Sequence, residues 1–220
     1  MSEAFQWLID TASNISMNRK PLVAKTYSRN GIVRSVSRGF NIWRFNVSLP
    51  DGRRWTDDRE YISYLEALNE TGVGTFQFNN TGYDWMVKYL GDQTAFNDTI
   101  QVSLPGGVGD NFNELTIVGG VNISSGFLFK AGDFIQTKSG STKGSVYVVR
   151  EDVAWDATVI KCHRPMQSEP QAFYDASSVN LLVGANCEWQ VQCVQMPSWS
   201  FFARDQVAWS GEFILQEVLT

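Results

Sequence analysis

The sequence has one histidine, His163, and three cysteines, Cys162, Cys187 and Cys193, none of them in a CxxC pair. A structural zinc site needs four Cys or His ligands at recognisable spacing, so none is expected. His163 directly follows Cys162, and in a strand their side chains would point to opposite faces, which suits neither a Cys–His dyad nor a shared metal. An odd number of thiols cannot close completely into intrachain disulfides, and buried thiols in a reducing cytoplasm are the expected state. No apolar run is long enough to span a membrane. The opening "MSEAFQWLID" lacks the basic start and apolar stretch of a secretory signal. No Gly-Lys-Ser/Thr follows the glycine run Pro105–Asp110 and no helix pattern opens behind it, so it reads as a linker and not a phosphate loop.

Charge is also scarce. Charged residues are 19% of the 220, below the roughly 25% usual in soluble domains. The net charge of −5 argues against whole-surface attraction to nucleic acid, though not against a local basic patch. What the chain does have is apolar and aromatic residues, 43% and 13% with eight tryptophans, ample for a packed core and suited to burial against partners.

Residues 1–30 read as an arm whose one strong apolar cluster, Phe5, Trp7, Leu8 and Ile9, docks on something. From Gly31 the pattern turns to period two. Two half-buried strands are expected, joined near Gly39, with Trp43, Phe45, Val47 and Leu49 on one face, closed by the turn Pro50-Asp51-Gly52. One helix follows, with Asp57 as its cap, Glu60 as the capping-box partner, and Tyr61, Tyr64, Leu65 and Leu68 at helical spacing against a sheet. "GTFQFNN" and "GYDWMVKYLG" read as short strands. From "SLPGGVGDNFNEL" onward, short strands recur around 115–118, 126–129, 134–137, 145–150 and 158–161, the spacing of a small barrel or sandwich. Gly132-Asp133 is a structural turn, Gly140–Gly144 a flexible one, and the strands flanking the latter form a hairpin. After Pro165 longer strands resume, with Trp189, Val191 and Cys193 on one face.

No catalytic constellation emerges. Asp57, Asp58 and Glu60 are explained by the helix start, where negative charge is favourable, and Asp110 and Asp133 by their glycine turns, so no carboxylate pair suggests glycan cleavage. Trp43, Trp55, Trp85, Trp155, Trp199 and Trp209 are candidates for a sugar platform, although most lie in alternating patterns that favour burial. An OB-type barrel could bind single-stranded nucleic acid, but residues 101–165 balance acidic and basic groups.

The run "GIVRSVSRGFNIWRFNVSLPDGRRWTDDREYISYLEALN", followed by "LTIVGG", "FLFKAGDFIQTK", "VYVVREDV" and "ATVIKCHRP", resembles tailed-bacteriophage structural proteins of the distal-tail and baseplate class. The phrase "LFKAGDFI" from Leu128 to Ile135 is its most specific part. The resemblance implies a mainly β fold: an antiparallel β-sandwich with one flanking α-helix at 31–100 and 166–220, and an inserted small OB-like β-barrel at 101–165. It further implies a non-enzymatic virion protein without cofactors, forming a ring with itself, a hexamer by resemblance, between the tail tube and baseplate hub or tip proteins. Neither nucleic acid nor membrane is an expected partner. The alternative reading is a host-surface carbohydrate-binding module of the virion. Residues 1–60 hold ten Lys or Arg against six Asp or Glu, and residues 61–220 eight against seventeen. Such asymmetry suits head-to-tail contacts in a ring, with Arg53 and Arg54 expected at a subunit interface.

Overall fold

A computed structural model gives the fold; it describes residues 3–27, 33–68, 72–79, 81–92, 100–106, 112–166 and 169–219, those from 20 to 40 by backbone alone. The chain begins with α1 (Glu3–Asp10), β1 (Asn14–Tyr27), β2 (Val33–Ser48), β3 (Arg53–Arg54), α2 (Trp55–Leu68) and β4 (Val73–Gln77). A 3₁₀ turn (Asp84–Val87) precedes β5 (Gln101–Ser103), β6 (Glu114–Gly119), β7 (Phe127–Phe129), β8 (Phe134–Ser139) and β9 (Thr142–Val148). Then come β10 (Val153–Ala154), β11 (Val159–Lys161), α3 (Gln171–Tyr174), β12 (Val179–Val183) and a second 3₁₀ turn (Gly184–Asn186). The chain ends with β13 (Glu188–Gln195), β14 (Ser198–Ala203), β15 (Gln206–Ser210) and β16 (Phe213–Glu217). The architecture is mainly β with antiparallel pairing, as expected, and among the described residues has three helices where one was expected.

Two compact units divide the chain: residues 1–75 with 190–218, and residues 76–189. The inserted unit is therefore wider than 101–165, because it takes in the 3₁₀ segment before β5 as well as α3 and β12 after β11. Nor, over the described residues 3–27, is the expected arm of residues 1–30 separate. The apolar cluster is the buried face of α1, and Asn14–Tyr27 form β1, paired with β2 along its whole length.

In the first unit a five-stranded sheet runs β1-β2-β16-β13-β4, and a three-stranded sheet runs β14-β15-β3. Trp43, Phe45, Val47 and Leu49 are buried on one face of β2, and Val191 and Cys193 on one face of β13. The expected break at Gly39 is a bulge within one continuous strand: Pro21 pairs with Asn41 and Val23 with Ser37, so residues 38–40 oppose a single residue, and glycine weakens regular pairing there. The α2 helix starts at Trp55, not after Asp57. Its cap comes from elsewhere in the unit. Asp205, in the turn between β14 and β15 with φ of +63°, accepts the Trp55 N–H on its carbonyl at 3.0 Å. Its carboxylate accepts the Thr56 N–H at 3.1 Å and the Thr56 hydroxyl at 3.0 Å. Asp205→Ala should cost about 1–2 kcal/mol, the worth of a strong N-cap, whereas Asn, which keeps an acceptor and tolerates φ > 0, should stay within ~0.5 kcal/mol. Urea denaturation checks this; equal stability of the Ala and Asn variants would rule the cap out.

On α2 the buried residues are Asp58, Ile62 and Leu65, while Tyr64 is exposed and Leu68 half-buried. Tyr61 stacks on Trp7 of α1, ring centroids 5.0 Å apart and planes within 5°, so part of the face expected on a sheet is covered by α1. Leu68 lies over the Gly72 backbone, whose N–H donates to the Leu68 carbonyl at 2.8 Å.

In the second unit a six-stranded sheet runs β11-β6-β5-β12-β8-β9 and a two-stranded one pairs β10 with β7. The core holds Ile100, Leu115, Phe129, Tyr147, Phe173 and Leu181. The expected barrel is not closed. Among the described residues its edge strands are joined by one isolated bridge, Val149 with Cys162, flanked by the Arg150 N–H to the Lys161 carbonyl at 2.8 Å and the His163 N–H to the Val148 carbonyl at 2.9 Å. The β8–β9 hairpin forms with a tighter turn than expected: Ser139 pairs with Thr142 and Gly144 is a strand residue.

Candidate functional site

Two surfaces and one buried cluster concentrate the chemistry. The first surface surrounds Arg53. Its Nε and Nη2 donate to the two carboxylate oxygens of Asp58 at 2.5 and 2.7 Å, and Asp58 is buried. The guanidinium carbon also lies 5.6 Å from the centre of the Trp7 ring, which stacks in turn on Tyr61. Arg53 is thus paired within its own unit, and because removing a buried carboxylate's partner strands the charge, reversal at Arg53 would damage the fold. Arg54 is exposed on β3.

Of the tryptophans weighed as a sugar platform, Trp43 is buried. Trp55 and Trp199 stack on each other at 4.8 Å, with the Phe201 edge against both; Trp209 packs on Phe213. Only Trp85 and Trp155 are largely outward, 68% and 41% exposed.

Trp85 stands in an open cleft of about 560 Å³ lined by Asp84, Trp85, Lys88, Tyr89, Val183, Ala185 and Asn186. Two 3₁₀ turns form it, where a strand was expected in "GYDWMVKYLG". The Thr81 hydroxyl donates to the Phe78 carbonyl at 2.8 Å and accepts the Tyr83 N–H at 3.1 Å, fixing the bend that opens the first turn. Val87 is buried beneath it. The Tyr89 hydroxyl donates to the Leu128 carbonyl, and burial pushes its pKa up. The second turn begins at Gly184, φ +61°, where a Cβ would sit 3.0 Å from the Val87 carbonyl oxygen.

The Gly132-Asp133 turn proves to be the anchor of this cleft. Gly132 has φ of +103° with open space at its Cβ position, so backbone conformation selects glycine there. Asp133 is fully buried and accepts the Lys130 N–H at 2.8 Å within its own turn. Its other oxygen accepts the N–H of Leu90 at 2.7 Å, pinning the chain just past the first 3₁₀ turn. Burial raises its pKa against the lowering effect of these backbone donors.

A third concentration is buried in the same unit. The Glu169 carboxylate accepts the Thr137 hydroxyl at 2.5 Å, the Tyr147 hydroxyl at 2.6 Å and the Ser145 N–H at 3.0 Å. Burial raises its pKa, and these donors together with the Arg164 charge only partly offset that. A raised folded-state pKa means stability is fully present below the ordinary carboxylate range and is lost as pH rises through the folded value. Glu169→Gln should therefore flatten the pH dependence: the stability of the wild type relative to the variant should fall as pH rises from about 4, the ordinary Glu range, toward neutrality. Urea midpoints of both proteins across that range measure it, and parallel curves would contradict it. Neither Glu169 nor its partners stood out in the sequence, since the donors lie 22 to 32 residues from it.

Cys162 and His163 do not join in chemistry. Burial pushes the Cys162 thiol far up, against thiolate formation, and the His163 Nδ1 accepts the Val148 N–H at 2.8 Å. Burial also raises Cys193, to about 11. Among the described residues no group of three or more His, Cys, Asp or Glu is placed to hold a metal ion, and no helix is long and apolar enough to cross a membrane. The glycine run Pro105–Asp110 falls mostly outside the described residues. No family model matches the chain, and no curated protein sequence matches it significantly.

Proposed function

We propose that the protein is a structural, non-enzymatic component of a tailed-phage particle, whose copies assemble head to tail into a ring at the distal end of the tail, between the tube and baseplate or tip proteins. The observation that carries the reading is the β1–β2 ribbon. β16 pairs with β2 only over Arg44–Val47, whereas β1 and β2 stay paired as far as Tyr27 with Val33. Nine residues of β1, 19–27, therefore run beyond the last β16 partner, a reach of roughly 30 Å at ~3.3 Å per residue. A two-stranded ribbon is marginal alone in water, and its unpaired edges are templates for another chain. Between Asp10 and Asp51 the sequence carries seven Lys or Arg and no carboxylate, while the chain as a whole is acidic, which favours heterologous contacts between unlike patches.

Sedimentation velocity and negative-stain imaging test this. The full chain should form closed rings at low salt. A variant with residues 22–40 replaced by an Asn-Gly turn should remain folded and monomeric. Rings from the shortened chain, or a full chain that stays monomeric at tens of micromolar, would defeat the assembly reading; a labelled copy absent from the tail tips of particles would defeat the location.

A further inference from the structure

We infer that the Trp85 cleft is a saccharide subsite, which takes one uncharged pyranose ring of a larger glycan against the outward face of the indole. The inference does not depend on ring assembly. Trp85 is the most exposed large apolar side chain among those described, at 68%, and its indole packs on no other aromatic ring among the described residues. The backbone that carries it is held by several contacts. Val87 is buried beneath it, Asp133 holds the Leu90 N–H, the Tyr89 hydroxyl reaches the Leu128 carbonyl, and Gly184 lets the second turn close on the first. A backbone held in advance need not be ordered when a ligand settles on the indole it carries. The cleft volume of about 560 Å³ lies within the roughly 300–1,000 Å³ of small-molecule sites.

The polar rim selects the ligand class. Asp84 offers acceptors only, Lys88 donors only, and Asn186 both. Sugar hydroxyls donate and accept at once, while the C–H face of the ring is apolar and can cover an indole. One carboxylate and one ammonium cancel, which favours a neutral ring over an anionic one. A polyproline segment also docks on aromatic grooves, but proline has no N–H to offer the Asp84 carboxylate.

Saturation-transfer NMR on the full-length chain tests this, with the methyl glycosides of glucose, galactose, rhamnose and N-acetylglucosamine as probes. At least one should bind in the millimolar range with transfer strongest at the ring C–H protons. Trp85→Ala should reduce the signal at least tenfold with an unchanged circular dichroism spectrum, and Asp84→Asn should reduce it severalfold. Trp155→Ala, at the other exposed tryptophan, should leave it unchanged. Binding that survives Trp85→Ala, failure of all four glycosides, or binding of decaproline in their place would overturn the inference.

Discussion

Gly144→Ala is expected to destabilise the inserted unit by about 2–6 kcal/mol, the sum of an overpacking cost of ~1–3 and a desolvation cost of ~1–3 for stranded polar groups. A Cβ at this position would fall 1.9 Å from Glu169 Oε2 and 2.2 Å from Thr137 Oγ1. A lone glutamate could swing aside cheaply. This one cannot, because Thr137, Ser145 and Tyr147 all donate to it in a buried site, and moving it leaves those donors unmatched. Gly140 is the contrast. It has φ of +59° and open space at its Cβ position, so Gly140→Ala should cost only the roughly 1–2 kcal/mol of a left-handed conformation. Urea unfolding of both variants, with hydrogen exchange at β8 and β9 to localise the loss, decides the matter; a loss below 1 kcal/mol at Gly144 would mean that Glu169 does not fill the space opposite it.

Those two glycines also show where sequence reasoning stops. Both sit in "SGSTKG" and read as one flexible turn, yet one is selected by its dihedral and the other by a side chain 25 residues away. Period-two strands were legible because alternation is local: Trp43 to Leu49 and Trp189 to Cys193 carry their buried faces in the sequence itself. The body of α2 was legible for the same reason, and its cap was not, because Asp205 arrives through the β14–β15 turn. Polar β1, "NISMNRKPLVAKTY", has no pattern that demands a strand and owes its conformation to pairing with β2. Eight-residue α1 is too short to be helical alone and depends on what its apolar face meets. For the cleft, the sequence could name Trp85 among six tryptophans but not choose it, since exposure is decided by neighbours distant in the chain.

What α1 meets gives the second large effect. Phe5 is fully buried, and Phe5→Ala should cost about 3–5 kcal/mol through lost burial and the cavity left behind. Its ring lies over Gly74 of β4 so closely that a Cβ there would stand 2.1 Å from Cδ2 and 2.4 Å from Cε2. Glycine at this strand position is thus required by the close approach of an aromatic face, and Gly74→Ala should cost about 1–3 kcal/mol as overpacking. The two losses have opposite causes, too little volume and too much, at one point of contact. Combined, the new methyl group occupies part of the space the ring vacates, so Phe5→Ala with Gly74→Ala should be less destabilising than the sum of the single changes by about 1 kcal/mol or more. Denaturant unfolding of the four proteins in the cycle measures that coupling. Additivity within ~0.5 kcal/mol would place Phe5 and Gly74 out of contact, and α1 would then need some other surface to hold its eight residues helical.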